Sequence, residues 1–356
     1  MSEKEEIREV RKAHRFNEAV LVDYLREHLG GFSGSLNVRQ FGYGQSNPTY
    51  LLTDTETGRG YVLRKKPPGK LLPSAHAVDR EYKIIKALGK TDVPVPEVYL
   101  LCQEESIVGT PFYVMAHVKG RIFRQPTIPE ARDAAERGAI LDAMNDTLVR
   151  IHAVDLDAAG LADFGKPGNY MARQTGRWTK QYLASQTDDI QSMDRLMAWL
   201  ADNVPDDDTT SIVHGDFRLE NMIVHPVEPR IIAVLDWELS TLGHPLADLA
   251  YNCMGYHLPA DDNVKFGYMG IDFQATGIPT EDDYVKAYCR RTGRQEIPDW
   301  TFYIAFSLFR IAAIVQGVYK RGLDGNASAS DAQTYGEQVR GLADVAWDLV
   351  QKNSND

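Results

Sequence analysis

Residues 212–221 read Ile212-Val213-His214-Gly215-Asp216-Phe217-Arg218-Leu219-Glu220-Asn221, and residues 232–238 read Ile232-Ala233-Val234-Leu235-Asp236-Trp237-Glu238. Two short β-branched runs, 222–225 and 231–235, are separated by Pro226-Val227-Glu228-Pro229. β-branched residues favour extended backbone and the Pro-bounded break is a turn, so the segment predicts a β-hairpin. A hairpin returns the chain to its starting end, which would bring Asn221 and Asp236 together. The order H-x-D-x-x-x-x-N, hairpin, Asp suits phosphoryl transfer, whose loose transition state asks a protein mainly to position groups and neutralise charge. Asp216 would orient and deprotonate an attacking hydroxyl. Asn221 and Asp236 would supply the hard oxygen ligands that Mg²⁺ prefers. Singly, each residue reads equally well as part of a turn or a cap; the ordered set carries the inference.

This segment resembles the catalytic loop and metal-binding strand end of the aminoglycoside phosphotransferase and choline kinase-like family, which writes HGD where protein kinases write HRD. The resemblance implies Asp216 as catalytic base and Asn221 and Asp236 as magnesium ligands. His214 is then a packing and hydrogen-bonding residue of the loop. Asp248, in Gly243-His244-Pro245-Leu246-Ala247-Asp248-Leu249-Ala250, matches the family's G-x-P-x-x-D-L-A pattern. It is expected to be structural, a buried carboxylate opening a helix and accepting loop N–H groups. The implied fold is α+β and protein-kinase-like, with a small antiparallel-sheet N-lobe over 1–118 and a mainly helical C-lobe over 119–356.

Outward toward the N-terminus, residues 1–15 form a charged leader expected to fray, and 16–29 carry apolar residues at helical spacing. Strands are expected at about 36–41, 49–53 and 60–65, a helix at 74–89 with Ser74 as N-cap, and strands at 97–102 and 111–118 around the turn EESIVGT. Three strands, one helix and two strands is the order of a kinase small lobe. Phe41-Gly42-Tyr43-Gly44-Gln45-Ser46-Asn47 joins the first two strands. Gly42 and Gly44 would let backbone N–H groups approach phosphate oxygens, and Ser46 and Asn47 would add side-chain donors. In Tyr61-Val62-Leu63-Arg64-Lys65-Lys66, alternation puts Val62 and Arg64 on one face and Leu63 and Lys65 on the other. The kinase-like pattern has a phosphate-contacting Lys here, paired with a helix Glu. This chain offers Arg64 with Glu81, or Lys65 if the register slips by one. The strand containing Met115, Ala116 and Val118 would present backbone groups to the purine edge.

Only 11 residues separate Asp236 from Asp248, and no A-P-E follows. That leaves little room for a peptide-docking segment, and Gly215 stands where protein kinases carry the Arg that receives a phosphorylated activation loop. A small-molecule hydroxyl is the better acceptor. Residues 165–187 carry Lys166, Arg173, Arg177 and Lys180 and no acidic residue. Arg173, Arg177 and Lys180 share a helical face, which points to an anionic substrate and away from a polycationic aminoglycoside; a solvated basic face is the plainer alternative.

Lys and Arg total 39 against 50 Asp and Glu, a net charge of −11. That argues against nucleic acid as the main partner. Cys102, Cys253 and Cys289 are scattered, which disfavours a disulfide framework or zinc site and fits a reducing, cytoplasmic setting. The charged N-terminus does not look like a secretory signal, and no apolar run is expected to reach the roughly 18 residues a membrane span needs.

The strings FGYGQSNPTYLL, VLRKKPPGKLLPSAHAVDREYKIIKAL, GTPFYVMAHVKGRIF, NYMARQTGRWTKQY and VHGDFRLENMIVHP are similar to the kinase-like domain carried ahead of the dehydrogenase in a class of acyl-CoA dehydrogenases. The resemblance extends over most of residues 40–320. It implies ATP, or GTP, with Mg²⁺, and as acceptor a hydroxy acid or hydroxyacyl-CoA thioester such as a 4-hydroxy acid derivative. At 356 residues the chain is expected not to include the dehydrogenase itself. The alternatives are an inactive nucleotide-binding module acting through partners and an aminoglycoside- or choline-type kinase.

Overall fold

The computed structural model describes residues 7–42, 47–69, 77–260, 267–324 and 332–353. The chain forms two compact units: Met1–Arg121 with Asp157–Leu161 and Met222–Ser240, and Ile122–Leu156 with Ala162–Asn221 and Thr241–Asp356. The linear division expected at residue 118 thus differs in that the 222–240 hairpin segment groups with the N-terminal unit. Main-chain bonds explain the grouping. Val234 N donates to Pro94 O, and Arg121 and Val224 exchange N–H···O bonds in both directions. Gly120 permits this approach, because a Cβ there would lie 2.4 Å from Val224 O.

The first unit is built on a six-stranded sheet. Its strands are β1 (Ile7–Arg8), β2 (Leu36–Phe41), β3 (Thr49–Asp54), β4 (Gly60–Lys65), β5 (Val98–Cys102) and β6 (Phe112–Ala116). The order is β1-β2-β3-β4-β6-β5, with every neighbouring pair antiparallel. The expected three strands, one helix and two strands are all present. Helix α1 (Glu18–His28), capped by Asn17, packs Leu21 and Leu25 with Tyr50, Leu52, Tyr61, Leu63, Phe112 and Val114 into one core. Helix α2 (Val78–Leu88) is shorter than the expected 74–89, and the expected cap Ser74 lies outside the described residues. Two further expectations need correcting. The leader is not wholly frayed, since Ile7 and Arg8 pair with Phe41 and Gln40. The stretch EESIVGT contains a short helix α3 (Glu105–Val108) ended by Gly109 in the left-handed region. The hairpin itself consists of β8 (Met222–Val224) and β9 (Ile231–Val234), with Met222 opposite Val234.

The second unit is mainly helical. It contains α4 (Ala134–His152), α5 (Tyr170–Ser185), α6 (Gln191–Asp202), α7 (Pro245–Cys253), α8 (Phe273–Thr276), α9 (Glu281–Thr292), α10 (Trp300–Leu323) and α11 (Ala332–Asn353). One short antiparallel pair, β7 (Ser211–Val213) with β10 (Thr241–Gly243), was not anticipated. Helix α10 packs against α5, α7 and α11. It overturns the expectation that no apolar run reaches membrane-spanning length: an 18-residue window has mean hydropathy 1.6, but 72% of that window is buried inside the protein. The helix is apolar all round because it is surrounded. All three cysteines are buried and free.

Candidate active site

The second unit supplies the loop that follows β7. Gly215 has φ +84°, a conformation that a Cβ would strain, so glycine between His214 and Asp216 is a backbone requirement. Asp248 fixes this turn. It lies in the first turn of α7, is 1% exposed, and accepts from His214 N at 2.5 Å and from Gly215 N at 2.9 Å. Burial pushes the Asp248 carboxyl up, but the neighbouring His152 and His214 and the Gly215 amide outweigh that and hold it below the ordinary range. His214 is fully buried, and its Nδ1 accepts the Asp216 N–H at 3.2 Å. It therefore shapes the loop.

Both oxygens of Asp216 are engaged. Tyr251 donates its hydroxyl to Oδ1 at 2.7 Å, and Asn221 donates its amide to Oδ2 at 2.9 Å and to the Asp216 carbonyl at 2.9 Å. Arg218 lies 3.2 Å from Oδ2 and ion-pairs with Glu220 at 2.7 Å. Burial, then the adjacent Asp216 charge, raises the Tyr251 hydroxyl far above its usual pKa, so it stays a donor. Arg310 donates to Gly215 O at 2.6 Å, and its guanidinium lies over the rings of Tyr251 and Trp178. A small cavity beside the loop is lined by Arg124, Met144, Arg218, Tyr251, Asn252 and Tyr268, among others.

The expected basic face is on α5, opposite the buried Met171, Thr175, Trp178 and Tyr182. Arg173 donates to Lys166 O at 2.7 Å, Arg177 lies over Trp178, and Lys180 is exposed. Burial raises the Tyr170 hydroxyl to about 12, with the charges of Arg310, Arg177 and Arg173 working against the rise and that of Asp248 adding to it. Tyr251 and Arg310 were missed in the sequence. Each left a signal: Tyr251 stands three residues after Asp248, and Arg310 is the sole charged residue between Asp299 and Lys320.

The first unit supplies a buried charge cluster. Arg64 Nε lies 2.9 Å from Glu81 Oε2, and its Nη2 lies 2.5 Å from Asp236 Oδ1 and 3.4 Å from Glu238 Oε2. Asn47 is 1% exposed and donates to Glu238 at 3.2 Å. Lys65 is on the other face, bound to Val108 O. Burial pushes the Glu81 carboxyl up to about 7 despite the Arg64 charge beside it. Burial works against the Arg64 charge too, but Glu81, Asp236, Tyr113 and Glu238 together push its pKa up. Asp236 has φ +64° at the start of the 3₁₀ turn Trp237–Leu239, and buried Trp237 donates to Val234 O at 2.9 Å, holding the turn against the hairpin. Gly42 accepts from Arg8 through its carbonyl at 3.3 Å; Gly44 and Ser46 lie outside the described residues. Met115 and Ala116 end β6, and Ala116 N donates to Glu97 O at 2.8 Å, so that amide is already engaged. Val118 lies two residues beyond the strand.

Magnesium suits the donors present. Three carboxylates face one guanidinium in the first unit. In the second, Asn221 donates through its amide nitrogen and keeps its carbonyl oxygen as an acceptor. Among the described residues no group of three or more His, Cys, Asp or Glu is arranged to hold a metal.

Residues 37–297 match the Phosphotransferase enzyme family, APH. The chain belongs to this family of phosphotransferases. It is 49% identical over 346 residues to acyl-CoA dehydrogenase family member 10 of Mus musculus and 46% identical over 353 residues to acyl-CoA dehydrogenase family member 11 of Gallus gallus. Each comparison covers 97% of this chain but only 32% and 45% of the respective relative, so the chain spans less than half the length of these curated relatives. A crystal structure from Ralstonia eutropha, named provisionally as an aminoglycoside phosphotransferase, is 48% identical with a TM-score of 0.86, covering 95% of this chain and 99% of that one. The complex of aminoglycoside phosphotransferase APH(4)-Ia with AMP-PNP and hygromycin B has a TM-score of 0.59 at 18% identity, covering 92% and 98%, and shares the fold.

Proposed function

We propose that this chain is an ATP-dependent, magnesium-requiring small-molecule kinase that phosphorylates the hydroxyl of a hydroxy acid or hydroxyacyl-CoA. The observation that carries the reading is the holding of Asp216: a tyrosine hydroxyl on one oxygen, the Asn221 amide on the other, and a loop tied to a buried carboxylate. Such a carboxylate stays where it was built while it accepts a proton. In the proposed step the acceptor hydroxyl gives its proton to Asp216 as its oxygen bonds to the γ-phosphorus, and the bond from that phosphorus to the ADP oxygen breaks. Asn221 and Asp236 would hold the magnesium ion, which when bound neutralises phosphate charge. Arg64, Asn47 and the Gly42–Ser46 segment would contact the phosphates, and the 115–118 segment the purine. GTP is the alternative donor.

The acceptor class rests on two supports. Arg177 and Arg310 both lie over the Trp178 ring, Arg310 also reaches the Gly215 carbonyl, and α5 further carries Arg173 and Lys180 and no acidic residue, a setting that favours an anionic acceptor over a polycation. The relatives carry acyl-CoA dehydrogenase names, which makes a CoA thioester the natural first acceptor to try. Asp216→Asn keeps size and removes the base. It should lower phosphoryl transfer to a 4-hydroxyacyl-CoA by about 10²–10⁴-fold, measured as acceptor-dependent ADP release. An unchanged rate would remove Asp216 from the role.

A further inference from the structure

The Arg64 guanidinium bridges carboxylates of very different burial. Its Nε edge faces Glu81, whose side chain is 1% exposed, and its Nη2 faces Asp236, whose side chain is 32% exposed. Water cannot take the place of the guanidinium at Glu81, which is enclosed, so breaking that contact leaves buried polar groups unpaired. Releasing Asp236 costs less, because water or another cation can replace the guanidinium there. The Glu81 contact is therefore the pivot and the Asp236 contact the exchangeable end. A third carboxylate, Glu238, already lies 3.4 Å from the same Nη2 and is steadied by Asn47. An ammonium is a point charge on a shorter stem and could not serve Glu81 and Asp236 at once; the planar fork of arginine can.

We propose that Arg64 is a resident counter-cation on Asp236, which a divalent cation must displace, with Glu238 receiving the displaced Nη2. The inference rests on the reading of Asp236 as a metal ligand. Metal binding without nucleotide is thereby suppressed. Nucleotide phosphates offer Arg64 a second anion, so metal and nucleotide enter together.

The test is binding of Mn²⁺ alone, followed by electron paramagnetic resonance on the full chain, in wild type, Arg64→Lys and Arg64→Lys/Asp236→Asn. Lysine keeps the charge but cannot bridge, so a general electrostatic effect predicts no change. Loss of one charge-assisted contact predicts at least about tenfold tighter Mn²⁺ binding in Arg64→Lys. Addition of AMP-PNP should narrow the gap, because wild type then releases Asp236. Equal or weaker Mn²⁺ binding by Arg64→Lys overturns the counter-cation role and leaves the kinase reading standing. Tight binding that survives Asp236→Asn puts the metal elsewhere and sinks both. If Arg64→Lys does not fold, Arg64→Met/Glu81→Gln removes the guanidinium together with its buried partner and is held to the same tenfold criterion.

Discussion

Asp216 and Asp236 are both carboxylates just beyond the ends of short strands, yet they are held by different sets of partners. Asp216 takes a neutral donor on each oxygen, Tyr251 and Asn221, on a loop anchored by Asp248, and the Arg218 guanidinium 3.2 Å away is shared with Glu220 at 2.7 Å. Asp236 faces the Arg64 guanidinium at 2.5 Å, a charge that Glu81 and Glu238 share, and sits on a left-handed turn. Neutral donors fix a charge without cancelling it, which suits a group that must take a proton at a set place. A counter-cation cancels the charge until something replaces it, which suits a group whose ligand comes and goes. The difference lies in the partners and not in the residue type.

Three substitutions would break or sharpen the contrast. Asp248→Ala should have the largest effect. It leaves two loop N–H groups buried without an acceptor, and should cost about 3 kcal/mol of stability in urea unfolding; a loss below about 1 kcal/mol would show that the loop does not need its anchor. Tyr251→Phe deletes one hydroxyl and keeps the ring under Arg310. We expect kcat to fall about tenfold, with KM for ATP unchanged and the melting temperature nearly so. A raised KM for ATP with normal kcat would assign Tyr251 another role. Glu81→Gln should have the smallest effect, on the pH dependence of stability. The Glu81 pKa rises from 4.5 to about 7 on folding, so the folded state binds the extra proton. Its contribution is fully present below pH 4.5 and is lost as pH climbs through about 7. Glu81→Gln should flatten the wild-type decline across that window. A decline of equal size in the variant would assign it to other groups.

Much of this was legible from residue order. The H-x-D-x-x-x-x-N run, the hairpin and the Asp after it appear where the sequence puts them, as do the strands at 36–41 and 60–65, because alternation and turn chemistry are local. The β7–β10 pair was not, since three residues per strand carry no usable period. Nor was β1, two residues in a charged stretch recruited by main-chain pairing to Phe41 and Gln40. Tyr251 and Arg310 escaped for a different reason. The sequence marks the faces of α7 and α10, but which neighbour each face meets is decided by how the helices pack. A single cation in an apolar helix should be read as a demand for a partner; here the partner is the carbonyl of Gly215.

The anchoring of the Gly215 turn has one more consequence. Because Asp248 belongs to a helix buried along most of its length, the loop cannot rearrange without disturbing the interior. Its shape is settled once, when the polypeptide folds, and on the proposed reading an arriving acceptor would meet a carboxylate already aimed. None of the acceptor's affinity is then diverted into ordering the backbone around it.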